Sequence, residues 1–249
     1  MFSCSQESLI NMATELVLIP DIHGRTFWEN AVKKYQDHPV VFLGDYVDPY
    51  KDEGITNEDA LANFKEIIAF AKDNNHVTLL LGTHDLHYLL SGIEFGRYSR
   101  RFCREIRRVV EEDFSLFKLA HYTRSNNTDI LISHAGILSS WLECEGLLTQ
   151  GAKEICKHLN TYLEDEGYLF NLADEVSMYR GGFSSSPSPV WADVRDHLKE
   201  TSPSEYFQIF GHTQLKEHII TEHWACIDCR EAFVLQGDCN ITKIERKES

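Results

Sequence analysis

Val40-Val41-Phe42-Leu43-Gly44-Asp45-Tyr46-Val47-Asp48 is the stretch on which the fold turns. Four apolar residues run without a break into a glycine, and two carboxylates follow three positions apart. An unbroken apolar run closed by a turn signal reads as a strand buried on both faces. Gly44 lets the chain turn sharply where that strand ends. Asp45 is then delivered to the rim of a sheet, where α/β proteins place their chemistry. Taken alone, the stretch is equally a strand followed by a polar loop.

The same pattern recurs on either side. Leu16-Val17-Leu18-Ile19 runs into Pro20-Asp21-Ile22-His23-Gly24, and Val77-Thr78-Leu79-Leu80-Leu81 into Gly82-Thr83-His84-Asp85. Between these runs, apolar residues return at helical spacing: Phe27, Trp28, Ala31 and Tyr35, then Leu61, Phe64, Ile68 and Ala71. Thr56 or Asn57 is the N-cap of the second helix. The order βαβαβ predicts a mainly parallel sheet whose loops gather at one edge. Two further runs end alike, Asp129-Ile130-Leu131-Ile132 in Ser133-His134-Ala135-Gly136 and Tyr206-Phe207-Gln208-Ile209-Phe210 in Gly211-His212-Thr213-Gln214. Residues 137–170 read as helical, 180–189 as a Gly/Ser/Pro-rich loop, and 224–227, 232–235 and 241–244 as short strands. No internal repeat or composition break marks a second domain, so residues 1–249 are expected to form one domain.

A formal net charge of −15 argues against a nucleic-acid coat or an anionic membrane surface as partner. No apolar run approaches the length of a membrane span, and residues 1–15 lack the basic and apolar regions of a signal peptide. Seven cysteines, an odd number scattered beside apolar residues, fit reduced thiols and a cytoplasmic location. Cys226 and Cys229 form a C-x-x-C without the second pair of a zinc finger. Six of the twelve arginines, from Arg97 to Arg108, fall in a helical insertion at about 86–127. They read either as a solvated face paired with Glu105, Glu111 and Glu112, or as a cap that draws in an anionic substrate.

Five strand ends therefore carry Asp21/His23, Asp45/Asp48, Thr83/His84/Asp85, His134 and His212. Imidazoles and carboxylates so gathered suit first-row divalent metals. The ordered set D-x-H-G, G-D-x-x-D, G-x-H-D, H-x-G and G-H-T resembles the calcineurin-like metallophosphoesterase superfamily, nearest the phosphoprotein phosphatases and bacterial diadenosine tetraphosphatases. The resemblance implies a four-layer α/β/β/α sandwich of two mixed sheets flanked by helices, with two divalent metals at one edge. Manganese is favoured, with iron and zinc admissible. It implies that Asp21 and His23 bind the first metal, that Asp45 bridges both, and that His134 and His212 bind the second. It further implies phosphate-ester hydrolysis by a metal-bridging hydroxide, with His84 as general acid oriented by Asp48. Asp85 is expected to brace the loop.

Three positions depart from the family pattern. Thr83 stands where the family has an asparagine ligand of the second metal, which predicts a weakened site. Gln214 replaces the last histidine of G-H-x-H and is expected to ligate the first metal weakly or leave the position to water. Pro49 follows Asp48 where many phosphoprotein phosphatases have a phosphate-gripping arginine. Arg180 or an arginine from Arg97 to Arg101 is expected to replace it, Arg180 being favoured for its glycine-flanked loop. The expected partner is a phosphorylated substrate: a phosphoprotein, a dinucleoside polyphosphate or a small phosphate ester. Two alternatives stay open. One is a scaffold that keeps the fold without turnover, and the other treats the C-x-x-C and the histidine cluster as separate structural metal sites.

Overall fold

A computed structural model describes residues 15–245, apart from Ser202, Ser204 and the side chain of Asp238. All but one of the residues read for a leader lie outside that range. The first sheet is ordered β11-β10-β1-β2-β3-β4. Its centre is parallel: β1 (Leu16–Ile19), β2 (Val40–Phe42), β3 (Val77–Leu80) and β4 (Phe117–Lys118). β10 (Phe233–Gln236) and β11 (Asn240–Lys243) add antiparallel strands on the β1 side. The second sheet is ordered β5-β6-β7-β9-β8. In it β6 (Thr128–Ser133), β7 (Phe207–Phe210) and β9 (Trp224–Cys226) run parallel. β5 (Ala120–Ser125) and β8 (Ile219–Ile220) pair antiparallel at its edges. Both sheets are mixed, as expected.

The period-two alternation of each strand separates the layers. Leu16, Leu18, Val41, Leu43 and Leu80 meet Ile130, Ile132, Phe207 and Ile209 between the sheets. The intervening Val17, Ile19, Val40 and Phe42 turn outward to pack with Phe27, Trp28, Leu61 and Phe64 of α1 (Phe27–Lys34) and α2 (Asn57–Asp73). Of the helices after β6, namely α5 (Ser139–Cys144), α6 (Ala152–Thr161) and α7 (Glu166–Asp174), α6 lies against β5 and β6. This is the α/β/β/α sandwich. Both faces of the strands are therefore covered, which is why their sequences are apolar runs rather than alternating ones. Thr56 caps α2 in a capping box with Asp59.

The stretch 86–127 is only partly helical. α4 (Cys103–Glu112) carries Arg104, Arg107 and Arg108, whereas Arg97, Arg100 and Arg101 precede it in turns. Residues 117–118 and 120–125 are sheet strands, because Phe117 and Ala120 have core positions to fill. Arg107 donates to the carbonyls of Tyr88 (2.7 Å) and Leu89 (2.8 Å), closing the end of α3 (Thr83–Leu89). Arg100 pairs with Glu94, Arg101 with Glu58 and Arg108 with Glu112, while Glu105 takes Lys65 instead. Most of this basic stretch is a paired surface. No helix among the described residues is long and apolar enough to cross a membrane.

One buried histidine makes the fold acid-sensitive. His197, in the short helix α8 (Val194–His197), stacks on Phe210 and sits 3.0 Å from the Ala135 carbonyl oxygen. Burial pulls its pKa from 6.5 down to about 4, against the partial support of that carbonyl. A depressed pKa means the unfolded chain binds the extra proton, so this stability is whole above pH 6.5 and is lost as pH falls through 4. The difference corresponds to about 3 kcal/mol. Chemical unfolding at stepped pH is expected to show His197→Gln losing less stability than the parent between pH 7 and pH 4.

Candidate metal centre

The site forms where the ends of parallel strands from both sheets meet. The loop after β1 is tied to the loop after β2: the Ile22 and His23 N–H groups donate to the Asp45 carbonyl (3.1 and 2.7 Å), and Gly24 N–H to that of Tyr46 (3.0 Å). The ends of β6 and β7 are joined by Gly211 N–H to the His134 carbonyl (2.8 Å), and His212 N–H to Asp21 Oδ1 (2.9 Å) ties them to the first sheet. Gly44 and Gly82 stand back to back. Gly44 has φ +105°, and a Cβ there would lie 2.6 Å from the Gly82 nitrogen. A Cβ on Gly82 would strike Asp45 Oδ1 and come within 2.6 Å of His134 Cε1.

Backbone strain is concentrated here. His23, Asp45, Asp48 and His212 all have left-handed φ, between +45° and +62°. Such non-glycine residues cost on the order of 1–3 kcal/mol each where the surroundings enforce them, and they mark functional sites. The geometry aims each side chain inward from its strand end.

Asp45 is the centre of the group and is 2% exposed. His23 Nδ1 donates to the Val47 carbonyl (2.8 Å) and His134 Nδ1 to that of Leu43 (2.7 Å). A carbonyl only accepts, so in the neutral rings each Nε2 keeps its lone pair. Those lone pairs face different oxygens of Asp45, His23 toward Oδ2 and His134 toward Oδ1, each at 3.6 Å. Burial holds the His23 pKa well below its usual value, so that ring is neutral. A neutral nitrogen and a carboxylate oxygen 3.6 Å apart have no proton to share. The span suits a cation about 2.0–2.2 Å from each. His212 adds a buried Nε2 with no hydrogen-bond partner, and its Nδ1 is 3.0 Å from His134 Nε2. Its pKa too is lowered, by burial first and then by Arg180. The donor set fits divalent cations on both sides of Asp45.

Two groups of possible ligands share Asp45: His23–Asp45–His84 and Asp45–His134–His212, with ligand atoms within 4.8 Å of one another. The second is the set expected for the second metal. Asp21 stands to one side, engaged with His212 N–H. The Thr83 hydroxyl reaches Asp45 Oδ2, the oxygen facing His23, at 3.5 Å. Gln214 is turned away from the cluster: its amide oxygen, in the orientation that satisfies both groups, meets the Arg230 guanidinium. An amide oxygen so placed is engaged by a cation of the chain itself. No group of three potential ligands among the described residues includes a cysteine, and Cys226 is buried against the Gly211 and Thr213 carbonyls.

Asp48 lies under His84. Its Oδ2 is 2.8 Å from His84 Nδ1, and its Oδ1 accepts from the Tyr88 hydroxyl at 2.5 Å. His87 Nε2 is also 2.8 Å from Oδ2, out of hydrogen-bond alignment. Burial would raise the Asp48 pKa, but contacts with His84 and His87 hold it below the usual carboxylate value. His87 and Tyr88 were missed in the sequence, although G-T-H-D-L-H-Y puts them three and four residues after His84, on one helix face. Asp85 braces the loop as expected, accepting from the N–H groups of Asp45 (2.8 Å), Gly82 (2.8 Å) and Tyr46 (3.1 Å).

The two arginines differ in freedom. Arg180 pairs with Asp193 (2.9 Å) and donates to the His212 carbonyl (2.8 Å) and the Thr213 hydroxyl (3.1 Å). Arg97, with φ +68°, lies over the Tyr50 ring at 3.7 Å and brings Nη2 to 3.1 Å from His84 Nε2 and 3.3 Å from His23 Nε2. Arg97, not the favoured Arg180, enters the space between the histidines.

The family model described as calcineurin-like phosphoesterase matches residues 15–218. The chain belongs to the calcineurin-like phosphoesterase family. Among solved structures, a cold-active protein-tyrosine phosphatase from a psychrophilic Shewanella species is similar, with TM-score 0.59 and 14% identity over 94% of this chain and 81% of that one. A metallophosphoesterase from Sphaerobacter thermophilus gives TM-score 0.49 and 11% identity over 94% and 89%. No curated protein matches. The family fold is thus the one described above, and its shared edge is where this phosphoesterase gathers Asp45 and its histidines.

Gly82→Ala is expected to fold, since its φ of −106° suits any residue, at a cost of about 1–3 kcal/mol. The added methyl displaces Asp45, so a divalent cation such as Mn2+ is expected to raise the melting temperature of the parent but not that of Gly82→Ala.

Proposed function

We propose that the chain is a dinuclear-metal hydrolase of phosphate esters, phosphoprotein-phosphatase-like in its acid–base pair and carried by one domain. One observation carries the reading: two histidines, each tied to a backbone carbonyl through Nδ1, present Nε2 to opposite oxygens of a single buried carboxylate. Asp45 would give one oxygen to each of two divalent cations, with His23 on one side and His134 and His212 on the other. Such a pair, when bound, lowers the pKa of a shared water and neutralises phosphoryl oxygens.

The chain's own groups supply the rest. Arg97 reaches the cluster with a guanidinium that suits two non-bridging phosphoryl oxygens. In the structure its Nη2 donates to His84 Nε2, so His84 carries its proton on Nδ1, toward Asp48. For His84 to protonate a leaving alkoxide, Nε2 must hold a proton and Arg97 must turn from it to the substrate. Asp48 supports that charged ring, and Tyr88 and His87 hold Asp48 in place. One guanidinium at the cluster of a strongly acidic protein favours a compact phosphorylated group over an extended polyanion.

Hydrolysis of an aryl phosphate, measured with and without Mn2+, tests the reading. Chelation is expected to abolish the rate. His84→Ala is expected to lower it by about 10²–10⁴-fold while leaving Mn2+ content unchanged. A parent that binds Mn2+ yet hydrolyses no faster than His84→Ala would instead be a scaffold with the fold of an enzyme.

The arginine assignment has its own measurement. Removing a charge-assisted contact worth about 1.5–3 kcal/mol corresponds to roughly a 10–100-fold loss in kcat/KM. Arg97→Ala is expected to show that loss, and Arg180→Ala a smaller one. The reverse order would return the phosphate grip to Arg180.

A further inference from the structure

Asp228 is a buried carboxylate that the reading above leaves without a task. It follows the apolar run Trp224-Ala225-Cys226-Ile227, the same strand-then-acid pattern that delivers Asp21 and Asp45. β9 lies parallel to β7 with Phe210 beside Cys226. Two residues beyond each strand, His212 and Asp228 leave the sheet at the same level. Ile227 N–H donates to the Phe210 carbonyl (2.9 Å) and Leu215 N–H to that of Asp228 (2.8 Å), so this backbone is fixed.

The side chain is 3% exposed, and Oδ1 has no hydrogen-bond partner. A buried carboxylate without a partner is costly. Burial raises its pKa well above the usual value, the Asp21 and Asp45 carboxylates raise it further, and Arg25 and Arg180 oppose them. Both arginines are already engaged. Arg25 forks onto Glu53 (2.8 and 2.9 Å), and Arg180 is held by Asp193. Neither makes a hydrogen bond or ion pair to Asp228 among the described residues. Asp228 Oδ1 is therefore a buried oxygen left without a donor, level with His212 at the end of the neighbouring strand. The residue where the family pattern has the last histidine of G-H-x-H, Gln214, has turned to Arg230.

We infer that Asp228 is a carboxylate of the first cation's site, beside Asp21 and His23, where it replaces the ligand lost at Gln214. The ligand class is a divalent first-row cation, for which an added carboxylate oxygen is a suitable donor. The inference rests on the dinuclear reading above and assigns that site a residue from outside the motif set.

The test uses calorimetric Mn2+ titration and thermal melting of the whole chain, with no dependence on turnover. The parent is expected to bind two Mn2+. Asp228→Asn keeps the shape and removes the charge, and is expected to weaken one of the two binding events by about 10–100-fold. Asp21→Asn should weaken the same event. Without metal, Asp228→Asn is expected to melt at or above the parent, because one of three crowded acids has been neutralised. A titration indistinguishable from the parent's overturns the inference. So does a lower metal-free melting temperature with an unchanged Mn2+-induced rise, which is the signature of a merely structural acid. If Asp228→Asn does not fold, Asp228→Ser is read by the same titration. A parent that binds no Mn2+ overturns the dinuclear reading and this inference together, whereas a parent that binds two with Asp228→Asn unaffected overturns only the latter.

Discussion

Asp45 is an ionisable group sealed from water, and its carboxylate accepts the His84 backbone N–H at 2.8 Å and a longer approach from Thr83. An anion in such a place survives only if positive charge or oriented dipoles surround it. Around it stand His23, His134, His84 and His212, which outweigh the opposing effect of burial and hold its pKa far below the usual carboxylate value. The neighbouring structure follows from keeping this carboxylate where both its oxygens are reachable. Gly44 and Gly82 let two strand ends touch, Asp85 ties three backbone N–H groups beneath it, and the loop after β1 hangs from its carbonyl.

The sandwich makes that possible by geometry. Parallel strands in each sheet end on the same side, and one layer of apolar side chains joins the two sheets. Asp21, Asp45 and His84 follow strands of one sheet, and His134, His212 and Asp228 follow strands of the other. The two sets meet across the seam, as His212 N–H on Asp21 shows. Residues almost two hundred positions apart thus become neighbours through strand register alone.

A second network adjoins the first and shares His84 with it. Asp48 is held by His84 and Tyr88, with His87 against it, and α3 supplies all three from one face. Tyr50 gathers the guanidiniums of Arg25, Arg97 and Arg230, and Glu53 ties down Arg25 and Arg230. The chain carries net charge −15, yet three of its arginines meet at this one ring. Charge is sorted by position rather than averaged over the surface.

The sequence by itself determined the strands that carry the site and the residues at their ends. Apolar runs closed by glycine and acid or histidine are local signals, and they put Asp21, His23, Asp45, His84, His134 and His212 at strand ends. The Thr56 cap was legible for the same reason, since its partner Asp59 is three residues away. The helical spacing of His87 and Tyr88 and the strand-then-acid pattern before Asp228 are equally local, but the groups they meet are not. Only the tertiary structure decided that Arg97 enters the cluster while Arg180 is bound at its edge. It also decided that Gln214 turns to Arg230, and that the arginine-rich stretch is mostly a paired surface leading into sheet strands. A side chain's charge is written in the sequence. Its partner is chosen by which loops and sheets pack together, and that choice is non-local.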